Sequence, residues 1–232
     1  MKKIGFSHGT IHKITDKYFD SSIDIFKKIE NDVIEVCLHD AEEVDKLQNI
    51  SKKVKDFSYK SIHLPTQNIR YKNDQLTKDL LDKVEKFYHE IDANLVLVHP
   101  DLVEDWEVFD KYKLNWAIEN MDKEKEKYKT AEELADFFRM KPNWKLVLDL
   151  NHCYTNDKTM KLAGEMIGQF KNRIAEVHLS GHTDLHDPLF LTKQNFILDY
   201  CNKLDVPIVI ESVFDKIEDV KKEYDYITDY LK

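Results

Sequence analysis

The sequence predicts a (β/α)8 barrel. Three observations carry that reading. Eight short β-rich runs recur at roughly 20- to 35-residue spacing, the period of strand, loop, helix and loop. Charged, helix-patterned stretches separate them. Several runs are almost continuously apolar, as parallel strands covered on both faces require. One domain over residues 1–232 is expected. An open doubly wound sheet is the alternative, but the first run continues as GFSHGT and not as a GxGxxG turn.

The first run is Ile4-Gly5-Phe6. Tyr18, Ile23, Ile25, Phe26 and Ile29 then fall near helical spacing, ahead of VIEVCL at Val33 to Leu38. SIHL, Ser61 to Leu64, is the third run. Leu76, Leu80, Leu81, Val84 and Phe87 form an apolar stripe on a Lys- and Asp-rich segment that leads to LVLV, Leu95 to Val98. The fifth run, NWAIE, ends at Glu119; Trp116 inside it reads as core, while Trp106 falls near the strand-end rim. TAEE, from Thr130, opens a helix with an N-cap and an acidic first turn, and KLVLDL follows at Lys145 to Leu150. The last two runs are IAEVHL, Ile174 to Leu179, and PIVIE, ending at Glu211.

Composition excludes several classes. Of 232 residues, 42% are hydrophobic and 11% aromatic, enough for a sizeable core. Five Gly and five Pro exclude collagen and low-complexity linkers. No apolar run approaches the ~18 residues of a membrane span. The opening MKKIGFSHGT lacks the apolar stretch of ~7 or more residues found in an export signal. Cys37, Cys153 and Cys201 are odd in number and scattered, so they read as reduced thiols of a cytoplasmic protein. With 35 Lys+Arg against 44 Asp+Glu the net charge is −9, which argues against a broad basic nucleic-acid surface. No protein partner can be inferred.

The functional signal is positional. In a (β/α)8 barrel the active site gathers at the C-terminal strand ends. Here those ends fall near His8, His39, His63, His99, Glu119, Asp149, His178 and Glu211, with His152, His182, Asp184 and His186 just beyond two of them. Of the ten histidines only His12 and His89 fall on helix-like segments. A lone loop histidine is ordinary, but carboxylates ending apolar strands are costly unless paired or metal-bound. Imidazole with carboxylate and no thiolate suits Zn, Mn, Fe or Co. Nine of these twelve, all but His8, His39 and His182, are candidate ligands; they exceed one ion's coordination positions and imply two or three ions.

The ordered motifs SIHLP, LVHP, AIEN, LDLNH, VHL with DLHDPL, and VIES resemble the xylose isomerase-like TIM barrels. Within them the series is most similar to the endonuclease IV branch (AP endonuclease family 2). That resemblance implies three zinc ions: His63, His99 and Glu119 on the first, Glu119, Asp149, His178 and Glu211 on the second, and His152, Asp184 and His186 on the third. It also implies hydrolysis of a phosphoester, either abasic DNA or something smaller. The superfamily's sugar and sugar-phosphate isomerases and epimerases resemble only the core of Glu119, Asp149, His178 and Glu211 around one ion, with Glu119 and Glu211 as acid and base. HLSGH, from His178, resembles a motif of multinuclear iron oxidases that modify peptides, but VHP does not fit them.

Departures from the endonuclease branch concern the loops. HDAEEVDK after the second strand is acidic where DNA binding calls for basic and stacking residues. Only three arginines occur, and Arg70, in QNIRYK, is the one near the predicted rim. His8, His39, His182 and Arg70 are therefore expected to support ligands or touch substrate. His63 and His99 discriminate the two readings, being superfluous for one ion and needed for a cluster.

Overall fold

Eight parallel strands close into a barrel in sequence order, with β8 pairing back onto β1. They are β1 (Ile4–Ser7), β2 (Val33–Cys37), β3 (Tyr59–His63), β4 (Leu95–Val98), β5 (Trp116–Glu119), β6 (Lys145–Asp149), β7 (Ile174–Leu179) and β8 (Ile208–Ile210). This computed structural model describes residues 2–15, 18–29 and 31–232. Each predicted run is one observed strand, and only the ends move. β3 begins at Tyr59, ahead of the predicted Ser61, and Glu211 lies one residue past β8.

The outer ring comprises α1 (Tyr18–Lys27), α2 (Leu47–Val54), α3 (Gln75–Ile91), α4 (Ala131–Met140), α5 (Leu150–Asn156), α6 (Lys161–Phe170), α7 (Leu189–Thr192), α8 (Asn195–Cys201) and α9 (Ile217–Tyr230). On α1, Ile23 and Phe26 are buried as the spacing requires; the side chain of Tyr18 lies outside the described residues. On α3, Leu80, Leu81, Val84 and Phe87 face the core, whereas Leu76, in the first turn, is 62% exposed. Thr130 and Glu133 form a reciprocal capping box that starts α4. Among the described residues no helix is long and apolar enough to cross a membrane.

One expected helix is missing. Between β4 and β5 the described chain forms only two 3-10 turns, Pro100–Leu102 and Trp106–Phe109. Pro100 opens the first, and the Asp105 carboxylate accepts the Glu107 N–H of the second. Aromatic bulk fills the outer layer there instead. Trp106 and Trp116 each lie 5.4 Å from Trp144, centroid to centroid, and Phe109 lies 5.0 Å from Trp116. The two tryptophans that the sequence placed at core and rim thus share one cluster.

The barrel interior is separate from the core between strands and helices. Leu95, Leu97, Ala117 and Val147 form one small apolar cluster, and Val33, Tyr59 and Val209 another. Strand alternation puts Glu35 on the same face of β2 as Val33, and Glu176 on the same face of β7 as His178. Glu35, Glu176 and His178 are each 0% exposed, so the interior is partly polar. Gly5 of β1 is required by close approach, since a Cβ there would lie 1.9 Å from the Val33 carbonyl oxygen.

Candidate metal centre

The strand ends deliver the candidate ligands to one rim. His63 ends β3, Glu119 ends β5 and Asp149 ends β6; His99 and Glu211 directly follow β4 and β8, and His178 is next to last in β7. Their ligand atoms fall into two groups that share Glu119, one with His63 and His99, the other with Asp149, His178 and Glu211. Within each group the atoms lie within 4.8 Å of one another.

Local structure sets each side chain. Asp149 is both the end of β6 and the N-cap of α5: its Oδ1 accepts the His152 backbone N–H at 2.7 Å, and its Oδ2 stays free for the rim. That cap explains the Asp-x-x-His spacing. Asn120 braces the junction, donating to the Asp149 carbonyl and accepting the Asp149 N–H. His63 Nδ1 donates to the Leu64 carbonyl at 2.8 Å, which turns Nε2 toward Glu119 Oε2, 3.5 Å away. His99 Nε2 lies 3.1 Å from the same oxygen.

His178 is held from both sides. Its Nδ1 lies 3.4 Å from Glu119 Oε1 and 3.2 Å from Glu211 Oε2, while its Nε2 lies 3.0 Å from Glu35 Oε2 and 3.1 Å from Glu176 Oε1. Glu35 and Glu176 were not singled out from the sequence. The signal was there in the parity: Glu176 sits two residues before His178 and so faces the same way, and a charged residue inside an apolar run is costly to bury.

The charges do not balance by themselves. Burial pushes Asp149 well above the usual carboxylate range, with Glu119 and Glu211 adding to it against His152. Burial works against Glu211 too, but His178 holds it down to about 2. Glu119 stays well below its ordinary range, because His178, His63 and His99 outweigh its burial. Burial lowers His63, yet the Glu119 carboxylate, 3.5 Å from its Nε2, and nearby carboxylates carry it to about 9. His152 also reaches about 9, where Asp149 and Glu119 overcome burial. Burial lowers His99 and His186.

Four atoms of this cluster are buried with close charged neighbours but no well-aligned hydrogen bond: both Glu119 oxygens, Asp149 Oδ2 and His178 Nδ1. Buried polar atoms left unsatisfied cost about 1–3 kcal/mol each. A divalent cation held by one atom each of Glu119, Asp149, His178 and Glu211 would supply a partner, and the nitrogen and oxygen donor set suits Zn, Mn, Fe or Co. The residues therefore fit a metal.

The remaining predicted residues are placed differently. His152 and His186 approach, with ring centroids 5.8 Å apart; both line the rim cavity beside Glu119 and also a second cavity of about 420 Å³ with Asp184 and His182. Among the described residues, however, His152, Asp184 and His186 do not gather into a compact ligand group. Asp184 is exposed, and Asp187 organises the turn by accepting the Thr183 and Asp184 N–H groups. His182 is tied to that turn through the Leu185 carbonyl and the Gln194 side chain. His8 is buried beneath the rim, where its Nδ1 accepts the Cys37 N–H at 2.9 Å and burial lowers its pKa to about 3. Arg70 is exposed on another cavity, with Lys72 and Asp101.

His39 does reach the rim cavity, and so does His12, which the sequence reading left on a helix-like segment. His12 directly follows a 3-10 turn, and its ring lies 5.7 Å from that of His39. Gly9 makes room for this pair, since a Cβ there would sit 2.6 Å from His39 Nε2. The cavity measures about 180 Å³ and is also lined by Thr66, Gln67, His63, His99, Glu119 and Glu211.

The fold has solved relatives. A D-psicose 3-epimerase structure determined in the presence of D-fructose matches with a TM-score of 0.69 and 14% identity, over 99% of each chain. The Escherichia coli 3-keto-D-glucoside 4-epimerase YcjR matches at 0.66 and 11%, over 99% of this chain and 100% of that one. The probable 3-DHS dehydratase AsbF of Bacillus anthracis matches at 0.70 and 13%, over 98% and 99%. At such identities the likeness establishes the barrel fold. It lends no support to the endonuclease IV branch that the motif series resembles. No protein-family model matches the chain, and no curated protein matches it.

Proposed function

We propose that this chain is a metal-dependent sugar isomerase or epimerase acting on a small, uncharged ketose. One observation carries the reading. Of the group Glu119, Asp149, His178 and Glu211, only the two glutamates line the rim cavity. Asp149 and His178 do not line it. The arrangement separates holding from reacting, because two carboxylates face whatever occupies the cavity.

When bound, a divalent cation supplies Lewis-acid polarisation of a substrate carbonyl, which acidifies the neighbouring C–H. Glu119 and Glu211 then do the proton work. One carboxylate takes the proton from that carbon, and the other, as the acid, returns a proton to it or to its neighbour. His12, His39, Thr66 and Gln67 line the cavity and offer hydrogen-bond partners to substrate hydroxyls. The cavity, about 180 Å³, is of a size for a small molecule and not for a duplex. Among the described residues lining it there is no Lys or Arg, the groups a phosphate needs, and no Trp or Tyr on which a base would stack. The similar structures of sugar epimerases support the same reading.

A second reading, a phosphoester hydrolase with a multinuclear site, retains one observation in its favour. His63 and His99 converge on Glu119 Oε2, a group that a single ion at Asp149, His178 and Glu211 does not require. The deciding experiment incubates the metal-loaded protein with a panel of ketoses in D₂O, beside an abasic duplex and a small phosphodiester. Deuterium entering the carbon next to the carbonyl is expected. Diester cleavage without deuterium uptake from any ketose would transfer the assignment to the hydrolase.

A further inference from the structure

We propose that Glu35 and Glu176 are positioning residues that fix His178 as a metal ligand from inside the barrel. The inference rests on the metal-site reading above and adds two residues to it. The ring nitrogens of His178 are divided between two sets of partners. Glu35 Oε2 and Glu176 Oε1 lie 3.0 and 3.1 Å from Nε2, and Glu119 and Glu211 lie beside Nδ1. An Nε2–H directed between two carboxylates fixes the tautomer and leaves the Nδ1 lone pair pointing to the rim. A carboxylate behind a ligating imidazole also raises its basicity. Here there are two, on different strands, so the ring is anchored across the interior from β2 to β7.

The fold bears a cost for this arrangement. Glu35 and Glu176 are both 0% exposed, and Glu35 Oε1 and Glu176 Oε2 have no hydrogen-bond partner. Buried charge of this kind weakens a fold unless it is compensated. An apolar or amide side chain would pack a barrel interior at less expense. The pair thus has the profile of a feature kept for the site and not for stability, in a barrel whose other inward clusters are apolar.

The test is metal titration of the metal-free parent, Glu35→Gln and Glu176→Gln, by calorimetry and by the visible spectrum of bound Co(II), with melting curves of all three proteins without metal. Each Gln variant should bind the ion roughly 10- to 100-fold more weakly. Its Co(II) bands should shift, and its metal-free melting temperature should be no lower than the parent's. Unchanged affinity with a lower melting temperature would make the pair structural and overturn the inference while leaving the metal site standing. Loss of one whole equivalent of metal, with the rest bound as in the parent, would make the glutamates direct ligands and overturn it too. A parent that binds no ion would overturn this inference and the site reading together. Should a Gln variant fail to fold, Glu35→Asp retains the charge but withdraws it from Nε2, and the same loss of affinity is expected.

Discussion

Asp149 caps the helix that carries His152, its Oδ1 lying 2.7 Å from the His152 backbone N–H. One carboxylate therefore serves two purposes, since its second oxygen faces the rim. The two can be separated by substitution. Asp149→Asn keeps an oxygen for the cap and should weaken metal binding with little change in metal-free stability. Asp149→Ala should lose metal binding and a further ~1 kcal/mol of stability, the usual worth of an N-cap. Equal metal-free melting temperatures for the two variants would show that the cap contributes nothing.

Metal removal should destabilise the protein. An ion that binds only the folded state adds about 4 kcal/mol at 1,000 times its Kd, which is roughly 8–16 °C in melting temperature for a chain of this size. Chelation followed by a melting scan measures it. Stoichiometry then separates the two functional readings. One equivalent, unchanged in His63→Ala, fits the isomerase core. Two or more, with Glu119→Gln losing more than one, fits the cluster, because Glu119 belongs to both ligand groups.

The pH response has a defined sign. In the metal-free protein His63 and His152 titrate near 9, above the ordinary 6.5. Their protonation therefore stabilises the metal-free fold fully below pH 6.5, and that contribution is lost as the pH rises through about 9. A protonated imidazole beside the site repels a cation, and one that ligates must be neutral, so metal affinity increases across the same interval. Melting curves at several pH values between 6 and 9 should show the metal-free midpoint falling while the increment from added metal grows. An increment that shrinks with rising pH would contradict the placement of these histidines.

Duplex DNA should bind poorly. Several phosphate contacts would make affinity fall about 10³-fold or more between 50 and 200 mM salt. The chain carries three arginines and a net charge of −9, and Arg70 does not line the rim cavity. Binding no tighter than about micromolar is expected at physiological salt. Fluorescence anisotropy with a labelled abasic duplex tests it, and nanomolar, steeply salt-dependent binding would restore the DNA-repair reading.

Much of this architecture was legible from residue order alone. The eight strands announced themselves because each is a short apolar run, buried on both faces, and the rim residues stood out because each ends such a run. The helix after β4 was not legible as absent, since aromatic packing around Trp144 decides that segment and sequence spacing does not. Glu35 and Glu176 were hidden inside strands, where only the inward parity reveals them. His12 reads like a helix residue until the 3-10 turn at His8–Ile11 delivers it beside His39. Asp184 reads like its neighbour His186, but Asp187 claims the turn and Asp184 stays exposed.

The aromatic packing between β4 and β6 has an optical consequence. All three tryptophans of the chain lie in that one cluster, and the indoles of Trp116 and Trp144 are stacked 5.4 Å apart at an interplanar angle of 14°. Indoles fixed in a packed, asymmetric cluster give the native protein a near-ultraviolet circular dichroism signal that comes largely from this one place. Intrinsic emission would then report one side of the molecule only, the side that carries Glu119. A loss of that signal ahead of the far-ultraviolet change on heating would locate the first breach of the closed sheet at β5 and β6.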